Sequence, residues 1–380
     1  MTQQPLCFFV HHQGRGHAKR CESIISHIGD RPIIIMSASR DIFGDFDERV
    51  EFVELPDMIG DPSATPALHN QITPRSFHCV PLGSPRLRQN AGIIANCLTS
   101  RNPGLFFVDV SAEWALLSRL CSVPAVKVRM HGDRNDVGHL SAYEACAGLV
   151  APFSESIEQD DFPDWARKKT FYSGGLCTTK SPVPSKEEAR RKLGIPDEQK
   201  VALVLSGGGG AGAPYAPLTM AARALPDWHW ITIGPLHREG HETDFGNLIT
   251  RGWVDDPLSF IAAADLVVAS AGDNTVHEIA RVQRPFLCVP EWRYFNEQVR
   301  KAEQLGRVGA AHVLPLWPAC NASWQDAVQK AMSCDLSAQA ALFSPDAAQN
   351  IAAYLTDLDE TLWSGIEDSS RLPRLAQVAG

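Results

Sequence analysis

The sequence predicts an α/β protein built from two doubly wound, Rossmann-like domains. Short apolar runs rich in β-branched residues alternate with stretches of helical periodicity along both halves of the chain. Each half also opens with a predicted strand that leads into a glycine-rich loop and then a helix, first at residues 6–28 and again from residue 201. A length of 380 residues suits two domains of ordinary size.

The composition excludes several classes of protein. A net charge of −9 argues against a nucleic-acid binder, because neutralising phosphates requires a basic face. The ten cysteines include no C-x-x-C pair, and the chain opens without a secretory leader, so we expect a reduced, cytoplasmic setting. No apolar run approaches the roughly 18 to 20 residues that a membrane span needs. Peripheral contact with the inner face of a membrane stays open.

The first half begins with a strand at residues 6–10, a loop with Gly14 and Gly16, and a helix at residues 18–28. This loop lacks the third glycine of the dinucleotide fingerprint, which argues against a nicotinamide or flavin cofactor at this position. Further strands are predicted at residues 31–36, 50–55, 105–110, 125–130 and 149–153, with helices at 85–100 and 112–120, and residues 171–175 end this half. Residues 56–85 contain several prolines and show no regular pattern, and a connection of that length is usually functional or mobile.

Two polar segments follow strands of this half. Asp109 stands at the carboxyl end of a strand, where the cleft residues of α/β sheets gather. It either lines the cleft or caps the helix that begins near Ser111. Residues 131–136 also follow a strand, and they either line the same cleft or form a solvated loop.

Residues 178–185 have the composition of a linker, since they combine prolines with small polar residues and show no periodicity. Ser185 and Glu188 form a predicted capping box for a helix at residues 186–193. The second half continues with strands at residues 201–206, 229–235 and 309–315 and helices at 321–332 and 340–358. We therefore predict an N-terminal domain at 1–178, a C-terminal domain at 186–335, and a helix and tail at 336–380. The tail after residue 359 is polar and is expected to be loosely held.

The stretch from residue 251 to residue 307 carries the strongest pattern. It contains two strand–helix units, with strands at 265–270 and 285–290 and helices that begin near residues 273 and 295. In such units ligands sit at the carboxyl ends of the strands, where helix N-termini present free N–H groups to anions. Glu278 lies one and a half turns into the first helix, and a carboxylate there suits the vicinal hydroxyls of a ribose. The alternative is a plain α/β domain whose charged helix residues are solvated.

This stretch resembles the donor-binding segment of GT-B glycosyltransferases, among them the peptidoglycan GlcNAc transferases that form lipid II and the UDP-glycosyltransferases. The resemblance implies two domains that face a central cleft, with the nucleotide sugar on the C-terminal domain and the acceptor on the N-terminal domain. It places the diphosphate at Gly272, Asn274 and Thr275, the ribose at Glu278, and the sugar hydroxyls at Glu297 and Gln298. Glu297 departs from the Asp or Gln that these families usually carry.

The first loop resembles that of the same enzymes, and related bacterial and archaeal proteins carry G-x-G-H-x-x-R there. By this resemblance Gly14 and Gly16 admit the donor phosphates, and His17 is the candidate base. Asp109 is its candidate orienting partner, and Arg20 is a further candidate. In the second half, the resemblance assigns the donor to the glycine loop and the nucleobase to the main chain of Val254. The loop glycines are Gly207, Gly208, Gly209 and Gly210, and the last two stand where the family often has Ser and Gln.

The expected activity is the transfer of a sugar from a UDP-sugar, UDP-GlcNAc among the candidates, to an acceptor hydroxyl. The resembled families imply inversion. No Asp-x-Asp lies on a plausible cleft loop, and helix N-termini can offset the charge on a diphosphate, so we expect neither a metal nor another cofactor. A UDP-sugar hydrolase or epimerase and a non-catalytic sugar-nucleotide-binding protein are the alternatives. The irregular segment at residues 56–85 is expected to cover the acceptor side of the cleft. The sequence does not distinguish a lipid-linked sugar, a secondary metabolite and a protein as the acceptor.

Overall fold

The computed structural model describes residues 4–61 and 65–364. Fifteen strands in these ranges are β1 (Leu6–Phe9), β2 (Ile33–Ser37), β3 (Val50–Glu54), β4 (Leu105–Val108), β5 (Ala125–Val128), β6 (Gly148–Ala151), β7 (Thr170–Tyr172), β8 (Lys200–Leu205), β9 (Ala213–Pro214), β10 (Trp228–Ile233), β11 (Leu236–His237), β12 (Leu248–Thr250), β13 (Leu266–Ala269), β14 (Phe286–Cys288) and β15 (His312–Val313).

Fourteen α-helices lie in the same ranges: α1 (Arg15–Ile25), α2 (Pro66–His69), α3 (Pro85–Arg101), α4 (Ala112–Leu120), α5 (Val137–Ala145), α6 (Asp164–Lys168), α7 (Lys186–Leu193), α8 (Tyr215–Ala224), α9 (Pro257–Ala263), α10 (Asp273–Val282), α11 (Glu297–Arg307), α12 (Asn321–Ala331), α13 (Leu336–Ala340) and α14 (Ala347–Trp363). Two short 3-10 helices lie at Glu155–Ile157 and Tyr294–Asn296.

The N-terminal domain is built on a seven-stranded sheet in the order β3-β2-β1-β4-β5-β6-β7, with parallel pairing throughout. Its inner strands are buried along their whole length because helices cover both faces, and most of their residues are apolar, as in β1. The winding direction reverses between β1 and β4. The loops after these two strands therefore diverge to opposite faces and open a crevice between them, which is where ligands of such sheets bind.

The C-terminal domain is built on a six-stranded parallel sheet in the order β12-β10-β8-β13-β14-β15. Here the direction reverses between β8 and β13. The glycine-rich loop after β8 and the loop that begins α10 lie side by side at this switch point. Each domain thus places one pair of strand-end loops at a position suited to a ligand.

Helix α14 returns to the N-terminal domain. Its apolar face, represented by Ile351 and Leu355, packs in one core with Leu6, Phe8 and Ile24 of the first strand and helix. An ion pair of 2.7 Å between Arg31 Nη1 and Asp359 Oδ2, both buried, fixes the far end of the helix. Helix α14 therefore packs against the first strand and the first helix of the chain.

Two predictions about the C-terminal region were wrong. A single helix at residues 340–358 does not form, because α13 ends at Ala340 and α14 begins only at Ala347. The segment between them pairs with Gly175 at the end of the N-terminal domain. The Leu342 carbonyl accepts the Gly175 N–H at 2.7 Å, and Phe343 forms a β-bridge with Gly175. The chain is also not loose directly after residue 359, because α14 continues to Trp363, whose ring N–H donates to the Gly104 carbonyl at 2.9 Å. The rest of the predicted tail, residues 365–380, lies outside the described residues.

The predicted capping box at the start of α7 is confirmed, with Ser185 and Glu188 in reciprocal hydrogen bonds. Helices α5 and α9 were not predicted. Each begins after an aspartate whose side chain accepts a main-chain N–H of the first turn, Asp136 for α5 and Asp256 for α9. Among the helices of the described ranges, none combines the length and the apolar character needed to cross a membrane.

Candidate functional site

The N-termini of α1 and α10 meet at the boundary between the two domains. A Cβ atom placed on Gly16, in the first turn of α1, would lie 3.5 Å from Asn274 Nδ2, in the first turn of α10. Arg20 Nη1 lies 3.8 Å from Asp273 Oδ2 across the same boundary. Gly14, which precedes α1, has a φ of 81° and open space where a side chain would stand. The structure therefore brings the predicted first loop and the predicted diphosphate loop together.

His17, Arg20 and Asp109 form one polar cluster on the N-terminal side of this boundary. His17 Nδ1 lies 2.6 Å from Asp109 Oδ2, and Arg20 Nη2 donates to Asp109 Oδ1 at 2.8 Å. Helix α1 supplies His17 and Arg20 three residues apart on one face, and the end of β4 supplies Asp109. Arg20 Nη2 also lies 2.9 Å from His17 Nδ1, so the three groups touch one another.

Asp109 is buried as an anion that its neighbours compensate. Burial alone would raise its pKa, but the Arg20 guanidinium and the His17 ring hold that pKa below its usual range. The helix-capping alternative is wrong, because Ser111 is the N-cap of α4 and accepts the Trp114 N–H at 3.3 Å. With its ring proton on Nδ1, His17 donates to one oxygen of Asp109 while Arg20 donates to the other, and Nε2 of His17 is left as a proton acceptor.

A second histidine lies beside His17. The ring of His11 stands 5.6 Å from that of His17 and is stacked on His12 at 5.2 Å. Burial, followed by the charge of the neighbouring His17, lowers the pKa of His11 to about 4. His11 is therefore neutral near pH 7 and places no positive charge beside His17.

The loop after β8 gives a close approach to the main chain. Side-chain positions at Gly207 and Gly209 face open space, with no atom within 4 Å. Gly210 is different, because a Cβ there would collide with the carboxylate of Glu291 and the guanidinium of Arg293. These two side chains form an ion pair of 2.7 Å that stands over the loop. A side chain at 210 would have to displace the ends of these two flexible side chains, and the glycines at 207 and 209 leave the N–H groups unshielded.

A cavity of about 500 Å³ opens beside this glycine loop. Its lining is mostly main chain and short side chains, together with one large ring and one guanidinium: Gly208, Gly234, Pro235, Leu236, Arg238, Thr250, Gly252 and Trp253. Trp253 is 72% exposed, and its ring edge lies 3.4 Å from the Cβ position of Gly208. Val254 follows directly and is half-buried against the core. Trp253 was not among the predicted residues, although its position just before Val254 is a signal that the sequence contained.

Glu278 is 8% exposed and faces the interdomain linker. Its Oε1 accepts a hydrogen bond of 2.6 Å from the Thr179 hydroxyl, and burial raises its pKa. Arg281, one turn later, donates to the carbonyls of Thr179 and Ser181 at 2.6 and 2.8 Å. Among the hydrogen bonds of residues 4–61 and 65–364, none reaches Glu278 Oε2. The alternative of a solvated helix charge is wrong for Glu278, and one carboxylate oxygen stays free for a ligand.

Glu297 and Gln298 begin α11 and differ in their surroundings. The carboxylate of Glu297 pairs with Arg134 of the N-terminal domain, with 2.8 Å between Oε2 and Nη2. Gln298 is 5% exposed, and its Oε1 accepts the Glu291 N–H at 2.9 Å. The Gln298 amide nitrogen lies 3.9 Å from the Cβ position of Gly272, so it faces the loop that begins α10. Gln298 therefore lies next to the predicted diphosphate loop, and Glu297 reaches across the domain boundary.

The loop at residues 131–136 is solvated only on its outer side, where Asp133, Asn135 and Asp136 are exposed. His131 is fully buried, with Nε2 at 2.8 Å from the Ile157 carbonyl. The Asp133 N–H donates to the Phe295 carbonyl at 2.7 Å, and Asn296 Nδ2 donates to Asp133 Oδ2 at 2.8 Å. The ring of Phe295 also lies beneath the guanidinium of Arg134, 4.6 Å away. This loop forms part of the contact between the domains. Its partners in that contact lie about 160 residues away in the sequence, so its own residues give no indication of the contact.

One buried cation of the donor side was missed. Lys301 of α11 is 1% exposed, and its ammonium contacts Asp273 Oδ1 at the start of α10. Burial, followed by the charges of Arg20 and Arg134, lowers the pKa of Lys301 to about 7. The signal in the sequence is weak, namely a lysine three residues after Gln298 on the apolar face of the helix. Thr275, which was predicted to bind the diphosphate, lies in the first turn of α10 and is 8% exposed.

Within the described parts of the chain, no group of three or more His, Cys, Asp or Glu side chains is arranged to hold a metal ion. Independence of metals and cofactors stays a prediction.

Comparison with known sequences finds a match that lies mostly in the C-terminal domain. Residues 236–351 match the glycosyltransferase family 28 C-terminal domain. The chain is also similar to the UDP-N-acetylglucosamine–N-acetylmuramyl-(pentapeptide) pyrophosphoryl-undecaprenol N-acetylglucosamine transferase of Azotobacter vinelandii. The two are 31% identical over 176 residues, which are 44% of this chain and 48% of that protein. The chain thus spans about half the length of this curated relative.

Comparison with solved structures confirms the predicted fold. The crystal structure of Acinetobacter baumannii MurG superposes with a TM-score of 0.62 over 93% of this chain and 99% of that one, at 11% identity. A UDP-GlcNAc 2-epimerase from Neisseria meningitidis, solved with UDP-GlcNAc, gives a TM-score of 0.54 over 93% of this chain and 100% of that one, at 11% identity. At such identities the likeness concerns the fold, which is the GT-B arrangement of two Rossmann-like domains.

Proposed function

We propose that this protein, with its GT-B fold and a C-terminal domain of the family 28 type, transfers a sugar from a UDP-sugar to an acceptor hydroxyl. The observation that carries the proposal is the meeting of two loops. The His17–Asp109 pair on the N-terminal domain lies directly across from the first turn of α10 on the C-terminal domain. A base and an anion-binding helix end on opposite walls are what a displacement at a sugar diphosphate requires.

The nucleobase is assigned to the cavity beside the glycine loop. Its volume of about 500 Å³ and its mixture of main-chain groups with one exposed ring suit a planar base. Trp253 offers a face for stacking, and the main chain of Val254 offers hydrogen bonds to the edge of a uracil. Support comes from the curated relative as well, since its name specifies a UDP-linked donor.

The diphosphate is assigned to the N–H groups of the first turn of α10 and of the glycine loop. Helix N-termini bind anions through free N–H groups and the positive end of the helix dipole. Two buried basic side chains, Lys301 and Arg20, flank the carboxylate of Asp273 at this helix end. They reduce the repulsion between that acidic side chain and a diphosphate. This arrangement supports stabilisation of the leaving group without a metal.

The ribose is assigned to the free oxygen of Glu278, and the donor sugar to Glu297 and Gln298. Each of these side chains already has one protein contact that fixes its orientation: Thr179 for Glu278, Arg134 for Glu297, and the Glu291 N–H for Gln298. A side chain held in this way loses little further freedom when a ligand binds. The contacts therefore favour a preorganised donor site.

The reaction follows from the base on the opposite wall. His17 Nε2 takes the proton of the acceptor hydroxyl as its oxygen forms a bond to the anomeric carbon. The bond from that carbon to the diphosphate oxygen breaks, and the electron pair leaves with UDP. Asp109 keeps the ring in the productive tautomer and stabilises the imidazolium that forms. Attack from the face opposite the leaving group inverts the anomeric centre.

The acceptor is assigned by class only. The irregular segment between β3 and α3 exposes large apolar side chains, among them Ile59, Ile72 and Leu82. Such a surface suits an acceptor with an apolar portion, and the name of the A. vinelandii relative specifies an undecaprenol-linked one. We therefore include in the proposal a lipid-linked sugar as acceptor, a cytoplasmic location and peripheral contact with a membrane surface.

A thermal-shift screen with nucleotides tests the donor assignment. UDP at about 100 times its dissociation constant should stabilise the protein by roughly 2.7 kcal/mol and raise its melting temperature. The variant Trp253→Ala should need about 5 to 150 times more UDP for the same shift, because stacking of a base on an aromatic ring contributes roughly 1–3 kcal/mol. The matched control is Leu316→Ala, which truncates an exposed apolar side chain of the same domain. A shift with another nucleotide and none with millimolar UDP would overturn the choice of base.

A further inference from the structure

The residue after Asp109 has a strained main chain. Val110 has a φ of 60°, a left-handed conformation that a β-branched side chain rarely adopts. The Ser111 N–H donates to the Asp109 carbonyl at 3.0 Å, so the chain turns within three residues as in a γ-turn of positive φ. The Asp109 N–H is meanwhile held by the Phe9 carbonyl at 3.0 Å. Strain of this kind persists only where the surroundings enforce it.

A buried lysine holds this turn. Lys127 of β5 is 2% exposed, and its ammonium donates to the Val110 carbonyl at 2.9 Å and to the Val128 carbonyl at 3.3 Å. The ring of Tyr143 lies 5.6 Å away. In the part of the chain that the structure describes, no carboxylate forms an ion pair with Lys127. A buried ammonium without a counterion is itself costly, as its pKa shows, which burial lowers to about 8.

The strained turn at Val110 and the buried ammonium of Lys127 thus meet at the Val110 carbonyl oxygen. This oxygen lies one residue from Asp109, whose carboxylate contacts His17. A merely structural role gives no reason for them to coincide, since a lysine of the same burial could serve any free carbonyl. Their shared consequence is the direction of Asp109, whose main chain is fixed by β4 on one side and by the turn on the other. We propose that Lys127 is a positioning residue, which holds the Val110 turn in the conformation that directs the Asp109 carboxylate to His17. This inference rests on the proposed role of His17 as base.

The test compares two single variants with their combination. Lys127→Met removes the ammonium and keeps a chain of similar length, and Val110→Gly removes the β-branched side chain that makes the positive φ costly. Lys127→Met should lower kcat about tenfold to a hundredfold, the cost of misplacing a catalytic group by roughly 1 Å, with the dissociation constant of UDP unchanged. Val110→Gly should keep kcat near that of the wild type, and the double variant should lose less than Lys127→Met alone, because a glycine adopts the turn without strain.

The chain offers a matched control for each variant. Lys169, 5% exposed, also donates to two carbonyls, those of Tyr143 and Glu144, but it lies away from Asp109. Ser122 has the same φ of 60° as Val110 and is exposed. Lys169→Met and Ser122→Gly should leave kcat within a factor of about two of wild type. Their melting temperatures separate a general loss of stability from a loss of positioning.

A spectroscopic readout keeps the inference independent of activity. In protein labelled with ¹⁵N at histidine, the ring nitrogens of His17 should report the proton on Nδ1 in the wild type and in Val110→Gly, and a mixture of tautomers in Lys127→Met. A wild-type tautomer and an unchanged kcat in Lys127→Met would overturn the positioning role, as would a double variant that loses as much activity as Lys127→Met alone. If the wild type transfers no sugar, the proposed function fails, and the tautomer of His17 still decides whether Lys127 positions Asp109.

Discussion

Replacing His17 by alanine is expected to lower the turnover number by about a hundredfold to ten-thousandfold, the usual contribution of a general base. The affinity for the donor should change little, because the donor contacts lie on the C-terminal domain. Asp109→Asn should give a smaller loss in the same direction, since an amide can no longer select the tautomer of His17 or stabilise its imidazolium. Both kcat and KM are to be measured with an acceptor that the wild-type enzyme uses.

His27→Ala is the matched control for His17. This histidine is exposed just beyond the other end of α1 and should have no effect on turnover. If His17 instead contacted a phosphate or the acceptor, the alanine variant would show a raised KM and nearly normal turnover at saturation. A kcat within a few-fold of wild type would remove His17 from the role of base.

Replacing Glu278 by alanine is expected to weaken UDP binding by about tenfold to a hundredfold while the fold stays intact. A charge-assisted hydrogen bond to a ribose hydroxyl contributes roughly 1.5–3 kcal/mol. The Thr179 hydroxyl that now donates to Glu278 can turn to water or to a neighbouring carbonyl, so we expect only a small change in melting temperature without ligand. Calorimetric titration with UDP gives the affinity, and thermal unfolding gives the stability.

The control for this variant is Glu198→Ala, which removes an exposed carboxylate from the same domain. It should bind UDP as the wild type does. Normal binding of UDP by Glu278→Ala together with a clear loss of stability would assign Glu278 to the structure, as the residue that joins α10 to the linker. The assignment of the ribose would then be wrong.

The sequence predicts those parts of the site that depend on local rules. Asp109 and His17 stand 92 residues apart, yet both follow strands that flank the switch point of one sheet, so their meeting could be expected from topology. The glycines before α1 and in the loop after β8 could be found because few other roles need so many of them. The start of α10 was predicted from a strand that ends in a glycine.

The parts that were missed depend on how the two domains dock. The contact of residues 131–136 with Phe295 and the pairing of Arg134 with Glu297 join segments about 160 residues apart, and neither segment shows a signal for the other. The break between α13 and α14 has the same origin, because Phe343 is drawn into a bridge with Gly175. The strain at Val110 is equally invisible in the sequence, since a valine gives no indication of a positive φ.

The most direct test of the central claim is the release of UDP from a UDP-sugar, measured with and without an acceptor pool that includes lipid-linked sugars. The donor should be the one that stabilises the protein most in the thermal-shift screen. A transferase with its base directed at an acceptor hydroxyl should release little UDP alone and much more when the acceptor is present, with the sugar recovered on the acceptor. Equal release of UDP in both samples would indicate a hydrolase. Conversion of the donor to an epimer would indicate an epimerase, and binding of UDP without turnover of any donor would indicate a non-catalytic binding protein. Each of these three results would contradict the account.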